Sequence, residues 1–299
     1  RNLVNLGVGV SSTEDYLSVL NSNRYVRSFV DSPEHLVRFL SYPYEGTFDF
    51  DELLWQTIDE HIEKHFSSGV SDADCRDFLV ALAVGVAENR NGACISHRSS
   101  ADYRNIPQNI VAKGNPSSLF RGISHPDVVW QHIMDHMILV CPNSGISSYS
   151  FVNPMFYCSL VADHYMQLMG THPAPNWLDR FNRLSAEDFS SIVVMLLNRL
   201  CRITPESAGA PEEVSSYDFL LLLQSIVGYV VSRTESTELF YCLLALQDIL
   251  SSERIKKTLP KSMWTMLEQV YATGYGHFVA LSDDSVKRSR LAEPCSIGE

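Results

Sequence analysis

The chain has 299 residues, 45% of them hydrophobic and 19% charged, and a formal net charge of −12. That length builds one large or two ordinary domains and buries a substantial core without covalent staples. The acidic balance argues against a protein that coats nucleic acid with its whole surface, although a local basic groove stays open, and no run approaches the ~20 unbroken apolar residues of a membrane span.

Helix signals dominate from the start. Ser12 with Asp15 three residues on reads as a capping box and predicts a helix over 12–21. Ser32-Pro33 supplies an N-cap followed by proline at the first helical position, for a helix over 32–41. Further helices are expected over 50–67 and 71–89. From Asn89 to Ser124 the pattern breaks: Asn91-Gly92, Ile106-Pro107, Gly114-Asn115-Pro116 and Gly122 punctuate a long irregular loop.

Beyond the loop, Pro126 opens an expected helix over 125–140 and Asn153-Pro154 one over 154–169. The boxes Ser185/Asp188 and Ser215/Asp218 open helices over 186–202 and 216–232. Two more follow over 235–251 and 260–273, and Gly274-Tyr275-Gly276 reads as the stop of the last. Val-rich pieces such as Val8 to Val10 and Ile110-Val111 are short and do not alternate, so strands are not expected. No fixed-period repeat is visible. The expected fold is all-α, with roughly ten helices in two lobes joined by a long irregular loop. The lobes run 1–122, including a basic loop over about 90–122, and 123–281, with a polar tail over 282–299.

The seven cysteines are an odd number and none forms a CxxC pair. Cys158, Cys201 and Cys242 sit in apolar helical runs, where a thiol behaves as a small hydrophobe. A reducing, cytoplasmic or otherwise intracellular setting is expected, with a virion as the alternative. The N-terminal residues of the sequence show no basic region leading into an apolar stretch, so no signal peptide is read from them.

Charge is uneven along the chain. Glu45 to Asp77 is strongly acidic. Arg90, Arg98, Arg104, Lys113 and Arg121 make the long loop basic, and Arg254, Lys256, Lys257 and Lys261 form a second basic cluster between two expected helices. Such runs serve as solvated faces or helix-dipole partners, or they line a groove that holds a phosphate backbone. In the second case Tyr103 and Phe120 stack on unpaired bases.

Metal-like spacing occurs in His61-x-x-x-His65 and His132-x-x-x-His136, each placing two imidazoles on one helical face, with Asp135 beside the second pair. Two histidines one turn apart are half of a zinc site, and Ile133 stands where the HExxH pattern needs its glutamate. No G-x-S-x-G elbow, Walker loop or strand-linked G-x-G-x-x-G occurs. Trp55, Trp130, Trp177 and Trp264 read as core or interface anchors.

This profile of apolar helices, a basic loop and a polar tail resembles helical viral coat proteins and nucleoproteins in overall character, a likeness that rests on no single motif. It implies a non-enzymatic, self-assembling subunit whose partners are further copies of itself and RNA. Phosphate would meet Arg98, Arg104, Lys113, Arg121, Lys256 and Lys257, while the segments 1–20 and 282–299 would exchange with neighbours. The alternatives are a helical protein-interaction adaptor and a metal-dependent hydrolase built on His132, Asp135, His136 and His164. No cofactor and no resident metal are expected.

Overall fold

Short polar side chains begin several of the described helices. Asn23 accepts from the amides of Tyr25 and Val26, Ser32 from His35, Asp49 from Glu52, and Ser252 from Ile255. Each side-chain oxygen satisfies an amide that the first helical turn leaves without a backbone partner. Ser71 with Asp74 and Ser185 with Asp188 close as pairs: each serine hydroxyl accepts from the aspartate amide, which is one half of a capping box, and itself donates to the carboxylate.

The computed structural model describes residues 13–42, 48–65, 69–89, 120, 123, 125–142, 149–203, 216–232 and 236–281. Among them the order is α1 (Thr13–Ser22), α2 (Arg24–Phe29), α3 (Pro33–Ser41), α4 (Phe50–Glu63), α5 (Asp72–Asn89), α6 (Pro126–His136), β1 (Val140–Pro142), β2 (Tyr149–Phe151) and α7 (Pro154–Thr171). There follow α8 (Ala174–Phe181), α9 (Ala186–Ile203), α10 (Ser216–Ser232), α11 (Ser236–Leu250), α12 (Glu253–Thr258) and α13 (Lys261–Leu281). The fold is all-α. No helix among the described residues is long and apolar enough to cross a membrane. The caps expected at Ser12 and Ser215, the boundary near residue 122, most of the long loop and the tail lie outside the described residues.

Several local expectations need correction. Three short helices were not expected, α2, α8 and α12, because six to eight residues carry too little periodicity to read. The helix expected over 125–140 stops at His136, since Met137 and Leu139 take left-handed backbone (φ 50° and 58°) that no right-handed helix continues through. The chain then enters an antiparallel ribbon in which Val140 faces Phe151 and Pro142 faces Tyr149.

The described residues divide into two units. The first holds α1 to α4, most of α5, α6, both strands and α7 as far as Val161; the second holds the end of α5, α7 from Ala162, and α8 to α13.

The first unit is built around aromatic and imidazole rings. Phe29 stacks on His35 at 4.7 Å and meets Phe50 and Phe156 edge-on at 5.8 and 6.0 Å. The buried His35 is tied to Asp31 at 2.8 Å. Asn153, fully buried, accepts from the Met155 amide and donates to the carbonyls of Ser28 and Phe29 at 3.2 Å each. The cap expected before α7 therefore also fastens the end of α2.

Aliphatic packing dominates the second unit. α11 lies against α9 and α13, with α10 beside them, and Leu196, Leu223, Leu239, Leu243, Leu246 and Leu267 are fully enclosed. Gly274 does not stop α13, which continues to Leu281. A Cβ at this position would lie 2.8 Å from Val230 Cγ1 and 3.0 Å from Leu243 Cδ2, so glycine here permits close helix contact rather than a turn. An aromatic row of Tyr165, Phe181, Phe189 and Tyr229 completes the core, with centroids 5.1, 5.1 and 4.0 Å apart along it.

Candidate functional site

Two surface features contain residues with chemistry: a histidine corner in the first unit and a basic edge in the second.

The corner forms where α4 ends. His61 and His65 do not share a helical face, because α4 stops at Glu63 and His65 lies beyond its end. His61 turns inward. Its ring meets Phe156 edge-on at 6.0 Å, and its Nε2 is buried without a hydrogen-bond partner. Burial, then the Arg38 guanidinium, holds its pKa below the ordinary 6.5. His65 turns outward and stacks on His136 at 4.9 Å with planes 20° apart. His132 meets His136 edge-on at 4.8 Å, as the one-turn spacing on α6 predicts.

Three imidazoles from two helix ends thus gather at one place. His65 is held below its ordinary pKa by desolvation and then by His136, and His132 by desolvation and then by His136. A hydrogen bond to the His65 backbone and the nearby Asp135 carboxylate pull His132 the other way. No group of three or more His, Cys, Asp or Glu among the described residues is arranged to hold a metal ion. The rings stack on one another instead of converging their nitrogens.

The basic edge is α12 and the start of α13. Lys256, Lys257 and Lys261 are exposed. The Lys256 ammonium sits 5.6 Å from the Trp264 ring centroid and 3.7 Å from the Glu253 carboxylate. Trp264 is itself buried, so its ring supports the lysine and does not offer a stacking face. Ile255, fully enclosed, pins α12 to the unit and leaves the lysines on its outer side.

Of the other expected phosphate contacts, Arg98, Arg104, Lys113 and Arg121 lie outside the described residues, as does Tyr103. The base-stacking expectation for Phe120 is overturned. Phe120 is 5% exposed and stacks on Phe78 at 4.4 Å with planes 9° apart, so its face is spent on packing. The tryptophans divide: Trp177 and Trp264 are buried, while Trp55 lies under the Arg76 guanidinium at 4.9 Å.

Among the described residues, Cys75, Cys158, Cys201 and Cys242 form no disulfide, and Cys75, Cys158 and Cys242 are buried. Burial pushes the Cys75 thiol up to about 12, which keeps it from acting as a nucleophile near neutral pH.

Sequence reasoning singled out both histidine pairs but not the joining of His65 to His132 and His136. That contact links residues far apart in the chain, and no local pattern encodes it. Nor was the groove between α3 and α4, about 620 Å³ with Val37 and Tyr42 in its wall, visible in the sequence. Arg38 lies along it, paired with Glu60 and, at 3.6 Å, with Glu34.

Comparison with protein-family models, with curated proteins and with solved structures found no match to this chain.

Proposed function

We propose that this chain is a non-enzymatic helical subunit that assembles with further copies of itself and engages RNA through the basic edge of α12 and α13. The observation that carries the reading is the set of exposed lysines, Lys256, Lys257 and Lys261, held outward by a helix anchored at Ile255. A chain of net charge −12 that collects lysines on one short helix localises its positive potential there. Such an edge suits a phosphate backbone, which needs point charges at a surface and no shaped pocket. The expected contacts at Arg98, Arg104, Lys113 and Arg121 belong to the same proposal.

Salt-dependent binding tests it. Anisotropy of a labelled single-stranded RNA should give an affinity that falls steeply with salt, with a log–log slope of about −0.7 per phosphate neutralised. The double variant Lys256→Gln, Lys257→Gln should lower the magnitude of that slope by about 1 to 2. Binding that ignores salt and both substitutions, or no binding at low salt, contradicts the proposal.

A second reading, a helical protein-interaction adaptor, is favoured by the groove between α3 and α4, where Val37 is 43% exposed beside Glu34 and Glu60. A groove with an apolar floor and a charged rim suits an amphipathic segment of another protein.

A further inference from the structure

We propose that His65, His132 and His136 form a proton-operated catch that holds the C-terminal turn of α6 against the end of α4, and that protonation releases this turn. Three observations meet here. The first is the contact itself: His65 stacks on His136, and His132 meets the same ring edge-on, at centroid distances of 4.9 and 4.8 Å. Neutral imidazoles tolerate that spacing, whereas two imidazolium rings at such a distance repel each other.

The second observation is the backbone on either side of α6. His125 precedes the helix at φ 53°, and Met137 and Leu139 follow it at φ 50° and 58°. None is a glycine, and each pays a steric cost in the left-handed region. Of these, the exposed Met137 is able to relax when the turn lets go, whereas Leu139 stays enclosed with its carbonyl accepting from Val152. Third, the anchorage of α6 is uneven. Val129 and Ile133 are buried, while Asp135, His136 and Met137 at its end are exposed, Met137 by 58%. The exposed stretch 135–137 lies between the buried Ile133 and the enclosed Ile138, Leu139 and Val140, so movement is confined to residues 134–137.

The charges around the catch set its direction. Lys64, at the end of α4, adds to the repulsion once a ring is charged. Asp135 on α6 opposes it, although its carboxylate also accepts from Gln131 at 2.7 Å. β1, which packs against α6, carries no acidic or basic residue over 140–142. One carboxylate thus faces three imidazoles and a lysine, so the cluster carries excess positive charge when its rings are protonated.

Hydrogen exchange of the whole chain, corrected for the intrinsic pH dependence of amide chemistry, tests the catch. Between pH 7.5 and pH 5.5, protection at 134–137, within the segment 133–140, should fall by up to about tenfold for each ring that the corner holds neutral, while protection in α9 and α11 stays constant. His65→Gln should abolish most of that change, because no ring remains on the α4 side, whereas the exposed His136→Gln should only reduce it, because His65 and His132 still face each other. Unchanged protection over 133–140 in the natural chain would overturn the proposal. So would an equal fall in both variants, or a fall spread evenly over all helices, which is the mark of general acid unfolding.

Discussion

The α9–α11–α13 packing of the second unit and the Phe29–Phe156 cluster of the first reach stability by different means. One is a seam of aliphatic side chains closed around Gly274, where volume is the controlling quantity. The other sets His35, His61 and Asn153 among aromatic rings, where single hydrogen bonds and protonation states count as much as volume. The lesson is that the two regions should respond to different insults, the seam to lost methyl groups and the ring cluster to lost polar partners and to acid.

The largest expected effect breaks the seam. Leu243 is fully enclosed and touches the position of Gly274, so Leu243→Ala removes contacts that rigid neighbouring helices cannot replace. Chemical denaturation should show a loss of about 2–5 kcal/mol. A loss under about 1 kcal/mol would mean that the seam collapses around the gap and is not closely packed.

A smaller effect is expected in the ring cluster. Asn153→Ala leaves the carbonyls of Ser28 and Phe29 without their donor and the Met155 amide without its acceptor. Stability should fall by about 1–3 kcal/mol, and proteolysis should find α2 before it finds α11. Asn153→Asp separates the two roles, because it keeps the acceptor for Met155 and removes the donor.

How much of this was legible in the sequence follows from how local each feature is. The starts of α3 and α9 could be read directly, because Ser32-Pro33 and Ser185/Asp188 act within one turn of themselves. Gly274 was misread because its meaning lies in Val230 and Leu243, which approach from other helices. The end of α6 was misread because left-handed Met137 and Leu139 carry side chains that do not announce that conformation. The histidine corner was half legible: the His132 and His136 spacing was plain, and the arrival of His65 depended on where α4 ended. Phe120 looked like a free aromatic in a basic loop until Phe78 was found against it.

The smallest effect sharpens the comparison through pH. The folded first unit holds His61 below 6.5, so the unfolded chain takes up that proton at a higher pH than the folded one does. Stability contributed by the neutral ring is complete above about pH 6.5 and declines as the pH falls towards the depressed folded value. Melting temperature should therefore drop modestly from pH 7.5 to 5.5, and His61→Phe should flatten that slope. A melting temperature that rises over this interval would reverse the assignment.

The proposed role of these helices is to form a subunit that assembles with its own copies. Electron micrographs of the purified chain, alone and with single-stranded RNA at low salt, test it most directly. Rings, shells or filaments of uniform dimensions, more abundant with RNA, are the expected result. A monodisperse monomer in both samples at high concentration would contradict it.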